Sequence, residues 1–269
     1  MNAVSEKLPS DQILPVEPPA VDCEEWQALL AAARGERLLE EGAQLTELYG
    51  PLCSGRHLAG FVVAHLAQSL DGRIATECGV SRWLSGDEDL LHTHRMRALS
   101  QAVVVGVNTI LYDDPQLTVR RCAGSHPVRV VIDPERRLDG CQRVFCDPVT
   151  PTLLLVAADR LGASDRLGHA EVVGVARSGD DLDPREVLRV LSGRGLKRVF
   201  VEGGGTTVSR FLQAGALDRL QLTIAPVILG SGRPAVRLPQ ISDLRDSLRP
   251  VTRQFRLGVD TMIECIFHG

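Results

Sequence analysis

Phe200-Val201-Glu202-Gly203-Gly204-Gly205-Thr206-Thr207-Val208 joins the end of an apolar run to three glycines and the start of a helical pattern. Val199–Glu202 shows no polar alternation before its carboxylate, as a strand covered on both faces does. Thr206–Ala214 continues as a short helix. Glycines let backbone N–H groups approach a ligand, and a helix N-terminus favours negative charge, so the turn is built like an anion site. It is not a Walker loop, because no Lys follows, and not a full GxGxxG, because Val208 takes the place of the last glycine. A nucleotide pyrophosphate suits it; so does a close-packed strand–helix turn that binds nothing. Glu202, directly before the glycines, is placed at a cleft mouth, where a carboxylate accepts hydrogen bonds from a heterocycle.

The same texture repeats on either side. Phe61–Leu66 is an apolar strand, Ser85-x-x-Glu88 caps a helix that runs to Leu99, and Ala102–Val107 is a strand without alternation. Val128–Asp133, Thr152–Ala157 and Glu171–Val175 are further strands. Asp183-Pro184-Arg185-Glu186 is a second capping box, with Pro at the first helical position of a helix that closes at Gly193 or Gly195. Leu220–Ala225 is a strand, and Thr252–Leu257 with Thr261–Phe267 forms an antiparallel hairpin. Strands alternating with helices predict an α/β fold with a mostly parallel sheet, made mixed by the terminal hairpin.

Residues 1–57 differ in kind from residues 58–269. The leading stretch carries Pro9, Pro15, Pro18 and Pro19 and reads as a flexible lead-in. Asp22 with Glu25 is a capping-box pattern; Trp26, Leu29, Leu30 and Ala33 follow at helical spacing, then Leu38, Leu39, Leu45 and Leu48. Gly35 divides this extension into two helices and Gly50-Pro51 ends it. It reads as a docking or dimerisation element.

Composition narrows the function. At 269 residues and 44% hydrophobic content the chain fills a complete core, and a formal net charge of −4 with 4% aromatics excludes a generally basic or stacking nucleic-acid surface. No apolar window is long enough to span a membrane, and the N-terminus has no secretory signal, which points to the cytoplasm. The seven cysteines are scattered with no CxxC or zinc spacing, so they read as reduced thiols and no metal is expected.

Three further segments carry chemical groups. Ala67-Gln68-Ser69-Leu70-Asp71-Gly72-Arg73 sets a hydroxyl, a carboxylate and a guanidinium on a turn at a strand end, where α/β sheets bind ligands; a plain Asp-Gly turn fits the same residues. Ser81-Arg82-Trp83-Leu84-Ser85 precedes a helix bearing His94, Arg95 and Arg97, where an arginine is a natural phosphate clamp. Val105-Gly106-Val107-Asn108-Thr109-Ile110-Leu111-Tyr112-Asp113-Asp114-Pro115-Gln116-Leu117-Thr118-Val119-Arg120 runs from a buried strand into a polar loop with paired carboxylates.

Together, SLDGRIA, the SRW turn, GVNTILYDDPQLTVR, PVRVVID, VEGGGTTVSRFL and IAPVILG resemble the reductase domain of the bifunctional riboflavin-biosynthesis deaminase–reductase family over residues 58–269. The resemblance implies a dihydrofolate-reductase-like fold, NADPH as cofactor, a homodimer, and reduction of a 5-amino-6-(5-phosphoribosylamino)uracil-type substrate to its ribitylamino product. It implies cofactor contacts at Ala67, Trp83, Thr109 and Asp113, with Gly203, Gly204, Gly205, Thr206, Thr207 and Val208 around the pyrophosphate. Ser81, Arg97, Leu117, Arg120 and Glu202 are the implied substrate contacts, Arg97 and Arg120 taking the phosphate. Ser69, Asp71 and His65 are the candidate catalytic groups, and Arg136 and Arg137 are placed for a ribose 2′-phosphate.

Three departures qualify this. No HxE with PCxxC occurs, so a reductase standing without the zinc deaminase half is expected. His65 stands where the family commonly carries Lys, and Gln68 where it carries a small residue. The leading extension matches nothing in the family. A same-fold reductase acting on another pyrimidine or a pterin-like substrate, and a non-catalytic NADPH-binding subunit, are the alternatives.

Overall fold

The apolar runs lie side by side as parallel strands, because a strand apolar on both faces needs helices above and below it. The computed structural model that establishes this describes residues 23–39, 43–53, 60–162 and 164–267. Two helices come first, α1 (Glu24–Ala33) and α2 (Gln44–Cys53). Then follow β1 (Phe61–Ser69), β2 (Arg73–Ala75), α3 (Asp87–Leu99), β3 (Ala102–Gly106) and α4 (Val107–Asp113). The middle of the chain holds β4 (Val128–Ile132), α5 (Arg143–Cys146), β5 (Thr152–Ala157), β6 (Arg166–Leu167), β7 (Ala170–Val175), β8 (Arg177–Ser178) and β9 (Asp181–Leu182). The last part holds α6 (Pro184–Gly193), β10 (Arg198–Glu202), α7 (Gly205–Gln213), β11 (Arg219–Ala225), β12 (Arg233–Pro234), β13 (Val251–Leu257) and β14 (Asp260–Ile266).

Ten strands form one sheet in the order β13-β14-β11-β1-β10-β3-β4-β5-β7-β6. The run from β11 to β7 is parallel; β14 and β13 are antiparallel, as the terminal hairpin led one to expect, and the short β6 adds an antiparallel edge that the sequence did not announce. The chain walks from β1 out to β3, β4, β5 and β7, then returns to insert β10 between β1 and β3. Such a reversal brings the carboxyl ends of neighbouring strands together as a crevice. Here the register sets His65 of β1 opposite Glu202 of β10.

Side chains alternate between the two faces. Val63, Val103, Val105, Val131 and Phe200 meet α1, α2, α3 and α4 on one side. Val62, Ala64, Val104, Val130 and Val201 meet Val187 and Leu191 of α6 and Val208 and Phe211 of α7 on the other. The extension belongs to the first core. Trp26, Leu29, Leu45, Leu48 and Tyr49 are each at most 1% exposed, and burial of a large apolar side chain contributes about 1.5–3 kcal/mol. Trp26 donates its indole N–H to the Ala123 carbonyl at 3.0 Å, and the Arg95 guanidinium lies 5.3 Å from the Trp26 ring centroid. The docking partner of this apolar stripe is therefore the chain's own α3.

Several local expectations are corrected. Asp22 lies outside the described residues, and Glu25 accepts from the Thr46 N–H at 2.9 Å, capping α2 rather than closing a box on α1. Gly35 ends α1 with φ +79°, but Leu38 and Leu39 fall in the link and α2 continues through Pro51 to Cys53. Pro51 sits in the last turn, where a missing N–H costs a single backbone bond. Gly86, not Ser85, is the N-cap of α3; the Ser85 hydroxyl is taken by Asp89. Asp183 does cap α6 by accepting from the Arg185 N–H, with Pro184 first in the helix, but Glu186 turns to Arg189 instead of closing the box. The polar loop read after β3 is a helix, α4, which separates Asp113 from Asp114. Replacing Trp26 with Ala is expected to destabilise the whole protein by about 3–5 kcal/mol, which urea denaturation would measure.

Candidate active site

The turns after β1, β10 and β3 enclose a cavity of about 920 Å³, large for a small-molecule site. β1 contributes His65 and Ala67, and β10 contributes Glu202. α4 contributes Asn108, Thr109, Tyr112 and Asp113. The segment between β2 and α3 covers it with Ser81, Arg82, Trp83 and Ser85, and α3 adds Asp89, Thr93 and Arg97. Arg121, Arg233 and Arg237 complete the rim.

The three-glycine turn is a cradle that side chains would fill. Gly203 and Gly204 both have left-handed backbones, φ +70° and +73°, which strain any other residue. A Cβ on Gly205 would lie 2.4 Å from the Ala235 carbonyl oxygen, and one on Gly106 would lie 2.4 Å from Thr207 Oγ1. A Cβ on Gly204 would sit 3.1 Å from Thr109 Oγ1. The turns after β3 and β10 thus touch through glycine. No side chain caps the N-terminus of α7, and Gly205 and Thr206 of its first turn line the cavity. Backbone donors at a nine-residue helix N-terminus suit a phosphate or pyrophosphate. Thr207 and Val208 do not line the cavity: the Thr207 hydroxyl sits against Gly106, and Val208 is core, with its N–H bonded to the Gly204 carbonyl at 3.1 Å.

A second cationic region is made of arginines. Arg97 is buried and its Nε donates to Glu202 Oε2 at 2.7 Å, Nη2 donates to Oε1, and Nη1 donates to the Thr118 carbonyl at 2.9 Å. The expected phosphate clamp is thus already paired with the expected heterocycle acceptor. A bidentate pair of this kind holds both groups rigid. Arg120 does not line the cavity; its Nη1 donates to Thr118 Oγ1 at 2.6 Å, beside Arg97. Burial, then Arg97 beside it, pushes the Arg120 guanidinium below its ordinary value. Burial and then Arg97, Arg120 and Arg121 push His94 down to about 3. Cations crowded this way would be relieved by an anion. Leu117 is 1% exposed with φ +56° and is core rather than a lining group; it turns the chain so that the Thr118 carbonyl faces Arg97. Asp113 lines the cavity, raised by burial against the pull of Arg82 and Ser81, whereas Asp114 leaves it to bond the Arg143 N–H.

Ser69 and Asp71 are off the cavity, contrary to the sequence reading. Ser69 Oγ donates to Asp71 Oδ1 at 2.6 Å and accepts from the Arg73 N–H. Asp71 also accepts from the N–H groups of Leu229 and Gly230. Leu229 and then Ser69 hold the Asp71 carboxyl down to about 2. These groups clasp the turn after β1 to the segment after β11, away from the cavity.

Behind His65 lies a network that the sequence did not reveal. His65 Nε2 meets Asp89 Oδ1 and Thr223 Oγ1, both at 3.1 Å; Thr223 donates to Asp89 Oδ1 at 2.6 Å and Ser85 to Oδ2 at 2.7 Å. Burial alone would raise Asp89, but His65 and the hydrogen bonds from His65 and Thr223 hold it well below the carboxylate range. Tyr49 of α2 reaches His92 Nδ1 at 2.8 Å, and His92 Nε2 reaches Gln221 Oε1 at 2.9 Å. Burial, then the His65 charge, pushes His92 down to about 3. Asp89 was hidden in Asp87-Glu88-Asp89, which reads as carboxylates answering a helix dipole. Arg121, Arg233 and Arg237 carried no local signal.

Comparison with known proteins finds relatives of the chain. Residues 60–255 match the RibD C-terminal domain. The chain is 36% identical over 220 residues to the 2,5-diamino-6-ribosylamino-4(3H)-pyrimidinone 5′-phosphate reductase of Methanothermobacter thermautotrophicus, covering 78% of this chain and 99% of that one. It is 34% identical over 205 residues to the riboflavin biosynthesis protein RibD of Aquifex aeolicus, covering 76% of this chain and 56% of that one. The bifunctional deaminase and 5-amino-6-(5-phosphoribosylamino)uracil reductase of Thermotoga maritima superposes with a TM-score of 0.65 at 28% identity, over 77% of this chain and 56% of that chain. The chain thus spans nearly all of the archaeal relative and little more than half of the bacterial ones.

Two outcomes follow from the geometry. Gly205→Ala is expected to abolish dinucleotide binding in calorimetry while Gly203→Ala, whose Cβ meets nothing within 4 Å, costs only about 1 kcal/mol of backbone strain. Asp71 has a lowered folded-state pKa, so its clasp stabilises the protein above the unfolded value near ~4 and loses that contribution as pH falls toward about 2. The stability gap between wild type and Asp71→Asn, followed by thermal melts, should accordingly be full at neutral pH and close on acidification.

Proposed function

The chain belongs to the RibD C-terminal domain family, and from that membership we propose that it is the reductase of riboflavin biosynthesis that converts a phosphorylated ribosylamino-pyrimidine to its ribitylamino product. The observation that carries this is a cavity with two separate anion sites, one made by backbone at the start of α7 and one made by arginines beside Glu202. A dinucleotide and a sugar phosphate need two such sites on one crevice; either ligand alone needs one.

The glycine turn fits a nicotinamide dinucleotide, since a Cβ on Gly203 would project into open space, the start of α7 carries no side-chain cap, and Gly203, Gly204 and Gly205 all line the cavity. Gly203, Gly204, Gly205 and Thr206 would hold the pyrophosphate, and Ala67, Trp83, Thr109 and Asp113 line the rest of that path. When bound, the reduced cofactor supplies a hydride to C1 of the opened ribosylamine. Trp83, 93% exposed with φ +69°, is held out over the cavity as an apolar plate. Arg137 supports NADPH over NADH: its Nη2 donates at 2.9 Å to Asn108, which lines the cavity, so its charge is within reach of a 2′-phosphate. Arg136 turns to the carbonyls of Arg160 and Ser164 and takes no part.

Arg121, which lines the cavity and reaches the exposed Asp87, is the cation for the substrate phosphate, with Arg97 held by Glu202 and Arg120 off the cavity adding positive charge beside it; Ser81 lines the same cavity. Glu202, fixed by Arg97, accepts from the N–H groups of the pyrimidine. Fixing both ligands in one crevice is the protein's main contribution, since alignment contributes up to about 7–11 kcal/mol. The same reading includes a homodimer in the cytoplasm, supported by the family resemblance and by seven unbridged cysteines.

The test is loss of dihydronicotinamide absorbance with the phosphoribosylamino-pyrimidine in its diamino and its deaminated form. Turnover of one form is expected. NADPH binding without oxidation on either would point to another pyrimidine, a pterin-like substrate, or a non-catalytic subunit. Arg121→Ala should raise KM for the phosphorylated substrate about tenfold to a hundredfold, the size of one charge-assisted hydrogen bond, and leave cofactor affinity unchanged. Arg137→Ala should cut the preference for NADPH over NADH about tenfold, ~1.4 kcal/mol.

A further inference from the structure

Asp89 and His65 form a buried acid–base pair in the wall of the cavity, 3% and 5% exposed. The hydrogen bonds dictate which nitrogen carries the proton. The carboxylate of Asp89 only accepts, and the Thr223 hydroxyl gives its hydrogen to Asp89 Oδ1. Both partners of His65 Nε2 therefore accept from it, so Nε2–H is protonated in every state of the ring. Nδ1, to which no described residue donates or accepts, is the nitrogen left for a ligand. Ser85 and Thr223 together keep Asp89 in place.

We propose that His65 is the proton donor of the reduction and Asp89 its positioning residue, a reading that rests on the reductase function above. Opening of the ribosylamine ring leaves a C1=N imine. Hydride from the reduced nicotinamide adds to C1, the C=N pair of electrons moves to nitrogen, and nitrogen takes the proton from His65 Nδ1. The amine product, the oxidised nicotinamide and a neutral imidazole balance the step. Asp89 stabilises the imidazolium before transfer and enforces the Nε2–H tautomer, so the proton that leaves is the one facing the ligand.

The groups around His65 agree with that role. From α3 it faces Asp89 and His92, from β10 Glu202, and from β11 Gln221 and Thr223. Glu202 is neutralised by Arg97, leaving Asp89 as the carboxylate that answers the imidazolium. The His92 ring lies 5.1 Å away and would oppose that charge if it were itself protonated. It is kept neutral by its surroundings. Gln221 donates its amide N–H to Glu264 at 3.1 Å, so its oxygen must accept from His92 Nε2–H, and the Tyr49 hydroxyl then donates to the bare Nδ1. The extension thus reaches the reaction centre through one hydroxyl.

The decisive experiment combines steady-state kinetics with 15N NMR of the imidazoles. His65→Gln should lower kcat about 10²- to 10⁴-fold with the cofactor Kd, read by its fluorescence, unchanged. His65→Lys keeps a cationic donor and should recover most of the rate, with the alkaline limb of kcat moved to higher pH. Asp89→Asn presents an N–H to Nε2 and should switch His65 to the Nδ1–H tautomer in the NMR spectrum; Ser85→Ala, which leaves the carboxylate in place, should loosen it without the switch. An active wild type whose kcat changes less than about threefold in His65→Gln, or a wild-type His65 bearing Nδ1–H when neutral, would overturn the proposal alone. A wild type inactive on both pyrimidine forms would overturn the reductase reading beneath it.

Discussion

β10 has to fit between β1 and β3 although it is made long after both. Everything at the site depends on that insertion. It places Glu202 beside His65 in register and delivers the glycine turn to the same crevice as α4. The space is so tight that two neighbouring turns meet where a Cβ would collide, at Gly106 with Thr207 and at Gly205 with the Ala235 carbonyl. Close backbone approach and an uncapped helix N-terminus come from the same constraint, so the packing requirement and the anion site are one feature.

Inserting a strand that ends in a carboxylate buries charge, and the chain answers it locally. Glu202 is met by Arg97 on α3, and Asp89 of the same helix is met by His65, Thr223 and Ser85. An unpaired buried charge is costly, whereas a paired and hydrogen-bonded one is rigid. α3 therefore carries both halves of the site's electrostatics. Its buried face holds Asp89, His92, Arg95 and Arg97, an unusual set of side chains for a core-facing helix.

That polar face explains the extension. Apolar strands on the α3 side need cover, and a helix with so many charged groups supplies little of it. Trp26, Tyr49 and the leucines of α1 and α2 complete the cover while still offering partners to Arg95 and His92. Segments outside the matched family domain can thus be part of the same core, and here Tyr49 of one of them bonds to the His92 ring, which packs 5.1 Å from that of His65.

The α/β class, the terminal hairpin, the glycine turn and part of the cavity's lining are legible in the sequence, because strands, helix starts and glycine turns are set by neighbours within a few residues. Ala67, Ser81, Trp83, Thr109 and Glu202 lie near those turns and reach the cavity with them. What pairs with what is not local. Asp71 and Ser69 look like chemistry and serve a clasp whose donors are the N–H groups of residues 229 and 230; Asp89 looks like a solvated helix start and is hydrogen-bonded to His65. Arg97 looks free and is bound to a residue 105 positions away. A hydrogen bond depends on distance and direction in space, and only the folded sheet order sets these.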